Sequence, residues 1–189
     1  TARYQLLGNL FAGQKISEMA TKVAAIKGKM GGRTYYSFSV EPSKLLKMSY
    51  ILHRNSAQPE EVLPTYQRLI KKSRLKDIQK FINNGGFFPN SIIVNINSES
   101  ASFKPAPMKN QPEDSDSRIG ILELPQKYRS VYVIDGQHRL YGYADSDYEG
   151  KDTIPVVAFY DLDNKDQIKM FMDINEKQKA VPQTLRTTL

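Results

Sequence analysis

The run Val131-Tyr-Val-Ile-Asp-Gly-Gln-His-Arg-Leu-Tyr-Gly142 constrains this chain more than any other stretch. Residues 131–134 are apolar and mostly β-branched, which reads as a buried strand. The run stops abruptly at Asp135-Gly136, and a helix-compatible segment follows from Gln137. A strand that turns into a helix through a glycine points backbone N–H groups and a helix N-terminus outward, which suits an anion. Gln137, His138 and Arg139 then supply an amide, a titratable ring and a fixed cation in that first turn. The turn is a phosphate-site candidate. The bland alternative is a tight turn with Asp135 as its cap and exposed polar residues after it.

The remaining pattern alternates strands and helices. Residues 4–11 read as a strand ending at Gly13. Residues 17–26 are helix-like, with Met19, Val23 and Ile26 at helical spacing and Ser17 as N-cap, broken by the glycines of 28–33. Residues 34–40 alternate as a strand, and Pro42 opens a short helix over 42–50. A polar connection runs over 55–63. Residues 66–82 form a helix with Leu69, Leu75, Ile78, Phe81 and Ile82 inward, stopped by Asn84-Gly85-Gly86. Strands follow at 91–96, 118–124, 130–134 and 154–160. A helix reaches about Tyr143, and another covers 165–174 with Ile168, Phe171 and Met172 inward. Pro182 begins a further helix. Residues 98–117 are polar and contain proline, as in a flexible insertion or functional loop. The fold class is α/β in the mixed (α+β) sense, with a mixed rather than doubly wound sheet.

At 189 residues the chain is long enough for one domain with a real core. It has no cysteine, which excludes disulfides, thiolate catalysis and cysteine-bound metal, and fits the cytoplasm. With only His53 and His138, a histidine-rich zinc site is not expected. No apolar run approaches the roughly 20 residues needed to span a bilayer, so no membrane partner is expected. The chain starts at Thr1, which suggests a fragment or a processed protein, with a further region expected after residue 189. The net charge of +7 is uneven: residues 1–90 hold 15 Lys/Arg against 5 Asp/Glu, residues 91–189 hold 12 against 15. A basic half favours polyanions, and otherwise is a solvated helix face.

Two further groups bear on chemistry. In Asp173-Ile-Asn-Glu-Lys-Gln-Lys179, Asn175 and Gln178 could orient a ligand or hold a hydrated cation, and Lys177 and Lys179 could meet phosphates. The alternative is an ordinary helix C-terminus. His53-Arg54 and Gln67-Arg68 each lie beside an apolar run. An arginine held there needs an anionic partner, either a carboxylate or a ligand phosphate.

Asp135-Gly-Gln-His-Arg139 spells the motif of the DGQHR-domain family, which this sequence resembles. The best-known members are the DndB-like proteins of bacterial DNA phosphorothioation. Gly31-Gly-Arg-Thr-Tyr-Tyr36, His53-Arg54, Tyr66-Gln-Arg68 and Phe88-Pro-Asn-Ser-Ile-Ile93 look like the other blocks of the family, in order. The resemblance covers about residues 9–185 as a single domain. The family in turn resembles the ParB/sulfiredoxin-like superfamily, a mixed sheet flanked by helices. Residues 135–139 then take the place of its phosphate loop, residues 154–163 its following strand and acidic turn, and residues 175–179 its Asn-x-x-Gln-Arg motif. That likeness implies phosphate contacts from Gly136, Gln137, His138 and Arg139; read with the residues noted above, Arg54, Gln67, Arg68 and Lys179 would complete a composite phosphate pocket. The likeness also implies a magnesium ion near Asn175 and a nucleoside triphosphate as cofactor; by phosphoryl-transfer logic Asp135 or Asn175 would hold that magnesium. The loop lacks the sulfiredoxin cysteine, so that chemistry is excluded.

Three functions are consistent with these residues. The first is a nucleotide-binding switch, possible NTPase included, in a DNA-modification or defence system, with Asp135, His138 and Arg139 as its catalytic candidates. The second is a non-catalytic DNA-binding regulator of the modification operon, using Lys71, Lys72 and Lys76 on the basic helix. The third is a structural interaction module. Expected partners are nucleotide, DNA, other DNA-modification proteins and a second copy of the chain.

Overall fold

The computed structural model describes residues 21–50, 71–96, 101–107, 116–124 and 130–177. The expected strand at 4–11, the connection at 55–63 and the helix from Pro182 lie outside the described residues. So do His53, Arg54, Gln67, Arg68, Gln178 and Lys179.

Eight strands form one mixed sheet: β1 (Thr21–Met30), β2 (Arg33–Val40), β3 (Ser49–Tyr50), β4 (Ile92–Ile96), β5 (Ser102–Pro105), β6 (Arg118–Leu124), β7 (Val131–Asp135) and β8 (Ile154–Tyr160). Their order is β3-β7-β4-β8-β2-β1-β6-β5. β3 runs parallel to β7 and β4 parallel to β8; the other neighbours are antiparallel. Four helices are described: α1 (Pro42–Met48), α2 (Lys72–Asn83), α3 (Gln137–Gly142) and α4 (Asn164–Lys177). None is long and apolar enough to cross a membrane. The expected mixed α/β class is the observed one.

The core has two layers, one on each face of the sheet. Val131 and Val133 join Val94, Val156, Leu122, Leu140 and Ile82 on the face covered by α1, α2 and α3. Tyr132 and Ile134, one residue out of step, join Phe159, Leu162 and Phe171 under α4. Burial on both faces is why β7 is apolar at successive positions instead of alternating.

Residues 21–26 are strand, not the helix that the spacing of Met19, Val23 and Ile26 predicts. Gly31 and Gly32 have φ of +56° and +77°, and Met30 pairs with Arg33 across them, so they are the two-residue loop of a hairpin. β1 is then held on both sides, by β2 and β6, and tertiary pairing overrides a local pattern that fits either period. Within the expected insertion 98–117, residues 102–105 form β5 and pair with β6. α2 begins at Lys72, with Lys71 extended, rather than running on from residue 66. Phe81, expected inside, is 46% exposed. α4 continues to Lys177, past the end expected at residue 174.

Candidate functional site

β7 delivers Asp135 to the edge of the turn, opposite Ile93 of β4. A bulge between Ile93 and Val94 shifts the register there, which re-aims the strand end as the chain leaves the sheet. Gly136 follows with φ +87° as the N-cap of α3. A Cβ here would lie 2.6 Å from Ile92 Cδ1 and 3.0 Å from Arg139 Nη2, so both the backbone and the packing require glycine. The Leu140 amide then donates to the Gly136 carbonyl at 2.9 Å, closing the first helical turn.

Arg139 points back over this turn. Its Nη2 donates to Asp135 Oδ2 at 3.0 Å and to the Ser91 carbonyl at 3.2 Å, while Nη1 donates to the Asn90 carbonyl. Both ends of the ion pair are largely shielded, at 18% and 22% side-chain exposure. The acidic Asp135 beside a candidate anion site is thereby explained: it neutralises the motif's own arginine. Through the two carbonyls, Arg139 also fastens the segment that leads from α2 into β4. Gln137 is buried at 7% exposure and His138 is partly buried. Among the described residues no hydrogen bond reaches Gln137 Oε1 or His138 Nε2, though both residues make other contacts.

The turn is coupled to the basic helix beside it. At Gly142 a Cβ would meet Ile78 Cγ2 at 2.3 Å, so the Ile78 side chain of α2 packs directly on the bare backbone of α3. Gln79 of α2 donates to the Asp145 carbonyl at 2.8 Å, and Asn83 Oδ1 accepts from the Asp147 amide at 3.1 Å. Just past α3, the buried Tyr143 hydroxyl donates to Asp152 Oδ2 at 3.1 Å; burial and that hydrogen bond push its pKa up to about 12.

α2 exposes Lys72, Lys76 and Lys80 along one side and Arg74 on another, with Lys71 exposed just before it. None of the five makes an ion pair with the described residues. Asp77 is the only acidic residue in the helix. Its C-terminus is closed by the Gly85 amide on the Ile82 carbonyl and the Gly86 amide on the Phe81 carbonyl, both at 2.9 Å, a Schellman pattern.

Among the described residues no three His, Cys, Asp or Glu side chains gather as a metal cage. Of the two ligands expected for magnesium, Asp135 faces Arg139, and the Asn175 amide donates back to the Phe171 carbonyl at 2.8 Å inside α4. The structure thus brings together residues 135–139, which were expected at the site, with Asn90 and Ser91, which were not. The block Phe88-Pro-Asn-Ser-Ile-Ile93 contained the signal, without showing that its carbonyls matter.

No curated protein and no solved structure matches the chain. A family model does: the DndB family, described as DNA-sulfur modification-associated, matches residues 23–188. The match spans both halves of the sheet and the turn at 135–139, and the chain belongs to this DndB family of DNA-sulfur modification-associated proteins.

Proposed function

We propose that the chain serves DNA-sulfur modification as a non-catalytic, DNA-binding regulator of the modification operon, contacting duplex phosphates through the exposed face of α2. One observation carries this reading. Lys72, Arg74, Lys76 and Lys80 face solvent without an acidic partner among the described residues, whereas the motif's Arg139 is held by Asp135 and two carbonyls. Solvated lysines and arginines are the means by which proteins neutralise DNA phosphates, and Lys72, Lys76 and Lys80, four residues apart, share one side of α2. Residues 135–139 then act in positioning: they fix α3, and α3 holds α2.

The test is duplex binding by fluorescence anisotropy across a salt series. Each phosphate contact contributes about 0.9 to the slope of log affinity against log salt. Changing Lys71, Lys72 and Lys76 to Glu is expected to lower affinity and flatten the slope by roughly three. A flat salt response in the unaltered protein, or no duplex binding, sinks the reading.

A second reading is supported by the enclosure of Gln137 and His138 beside the Asp135–Arg139 pair, an unusual density of polar groups for a simple turn. In it the turn binds a nucleoside triphosphate, Arg139 exchanging internal partners for phosphate oxygens. Titration with ATP, GTP and CTP, each with and without Mg2+, tests it; failure of all three to bind at millimolar concentration removes it.

A further inference from the structure

The segment between α2 and β4 exposes aromatic surface that the proposed duplex contact does not use. Phe87 is 74% exposed and Phe81 46% exposed. Phe81 is not a loose surface residue. The Phe81 ring lies against the backbone of Gly86, where a Cβ would be 2.4 Å from its Cζ, and stacks obliquely on Phe88 with ring centroids 5.0 Å apart. Phe88 in turn packs on the main core. The segment is fastened at both ends, by the Schellman bonds at Gly85 and Gly86 and by Arg139 at the Asn90 and Ser91 carbonyls. A phenylalanine held out in water on so rigid a mount loses apolar burial with no gain in folding. Lys80 precedes Phe81 directly, and Lys76 lies one turn back on the exposed face.

We infer that residues 80–91 form a stacking platform for unpaired DNA bases, with Phe87 and Phe81 as its rings and Lys76 and Lys80 holding the adjoining phosphates. Aromatic rings flanked by cations are the recurrent means of binding single-stranded nucleic acid, because every base offers a π-face while the backbone needs only charge. Charge complementarity selects this occupant over an apolar protein surface: the rings adjoin the most cation-rich helix described. Arg139 is here a positioning residue, since it fixes the platform through Asn90 and Ser91. The inference rests on the proposed DNA contact of α2 and deepens it, by adding a strand with unstacked bases as a ligand.

The experiment compares three fluorescent oligonucleotides of equal length: single-stranded, duplex, and an abasic single strand. Phe87→Ala is expected to weaken single-strand binding by about tenfold, with duplex and abasic binding changed less than about twofold. The chain has no tryptophan, so Phe87→Trp introduces a single reporter. Its emission should be quenched by the base-bearing strand and not by the abasic one, with affinity retained. Lys76→Glu with Lys80→Glu should weaken all three. Equal binding of abasic and base-bearing strands overturns the platform while leaving the duplex reading intact. Binding of none of the three overturns both. If Phe87→Ala instead releases a DNA-modification protein and leaves single-strand affinity unchanged, the ring is a protein contact and the inference fails.

Discussion

Arg139 on α3 and the lysines of the neighbouring α2 carry the same charge in opposite surroundings. Arg139 meets a carboxylate and two carbonyls, and most of its surface is shielded from water. Lys72, Lys76 and Lys80 stand in solvent with no acidic partner among the described residues. A guanidinium can satisfy three acceptors in a fixed plane, and the arrangement uses it as a rivet. An exposed ammonium contributes little to folding and remains available to a polyanion. The most distinctive motif of the sequence is thus the part that builds, and an ordinary-looking helix is the part that presents charge.

The contrast can be broken at the turn first. Gly136→Val meets both the left-handed backbone and Ile92, and should lower stability by about 3 kcal/mol in urea unfolding. A loss below about 1 kcal/mol would show that the turn is not rigid. Arg139→Ala leaves Asp135 and two carbonyls without their donor and should cost about 2 kcal/mol; Asp135→Asn, which leaves both carbonyl bonds, should cost about half of that. If Arg139→Ala keeps full stability and instead abolishes nucleotide binding, the rivet description fails and the second reading gains. The smallest effect concerns Tyr143, at the joint between α3 and the loop that α2 grips. Its pKa is raised from 10.0 to about 12 in the folded protein. The folded state therefore keeps a proton that the unfolded chain releases, so this stabilisation is complete below pH 10 and is lost as pH rises towards 12. Tyr143→Phe should flatten the alkaline fall in stability, read as urea midpoints on either side of that range. Tyr36 and Tyr132, also raised by burial, leave part of the slope in place.

Where local chemistry decides, the sequence is readable. The change from β-branched residues to Asp135-Gly136 marks the end of β7, and the strand at 154–160 has the expected bounds. Asn84-Gly85-Gly86 ends α2 as its composition requires. Where pairing at a distance decides, it is not. Val23 and Ile26 fit a helix by spacing, and only the hairpin at Gly31-Gly32 and the partner β6 make them strand. Ser102–Pro105 is only four residues and ends in proline, too short for its alternation to stand out, and the strand exists through its ladder with β6. At the site, glycine, acid and arginine were visible as a set. Their meaning was not, because Arg139's other acceptors are backbone carbonyls 48 and 49 residues earlier, and a carbonyl leaves no mark in a sequence.

The order of the sheet also governs how the chain can assemble. The β1–β2 hairpin is local and can close as soon as it is made, but its outer neighbours are β6 and β8, which begin at Arg118 and Ile154. Until those strands arrive, both edges of a ten-residue and an eight-residue strand stay open. Refolding should therefore be slow for a chain of this length, with the hairpin protected from hydrogen exchange first and the β2–β8 ladder last. The interval between them is when this protein is most exposed to strand-to-strand association with its own copies, and therefore when it depends most on dilution or on a chaperone.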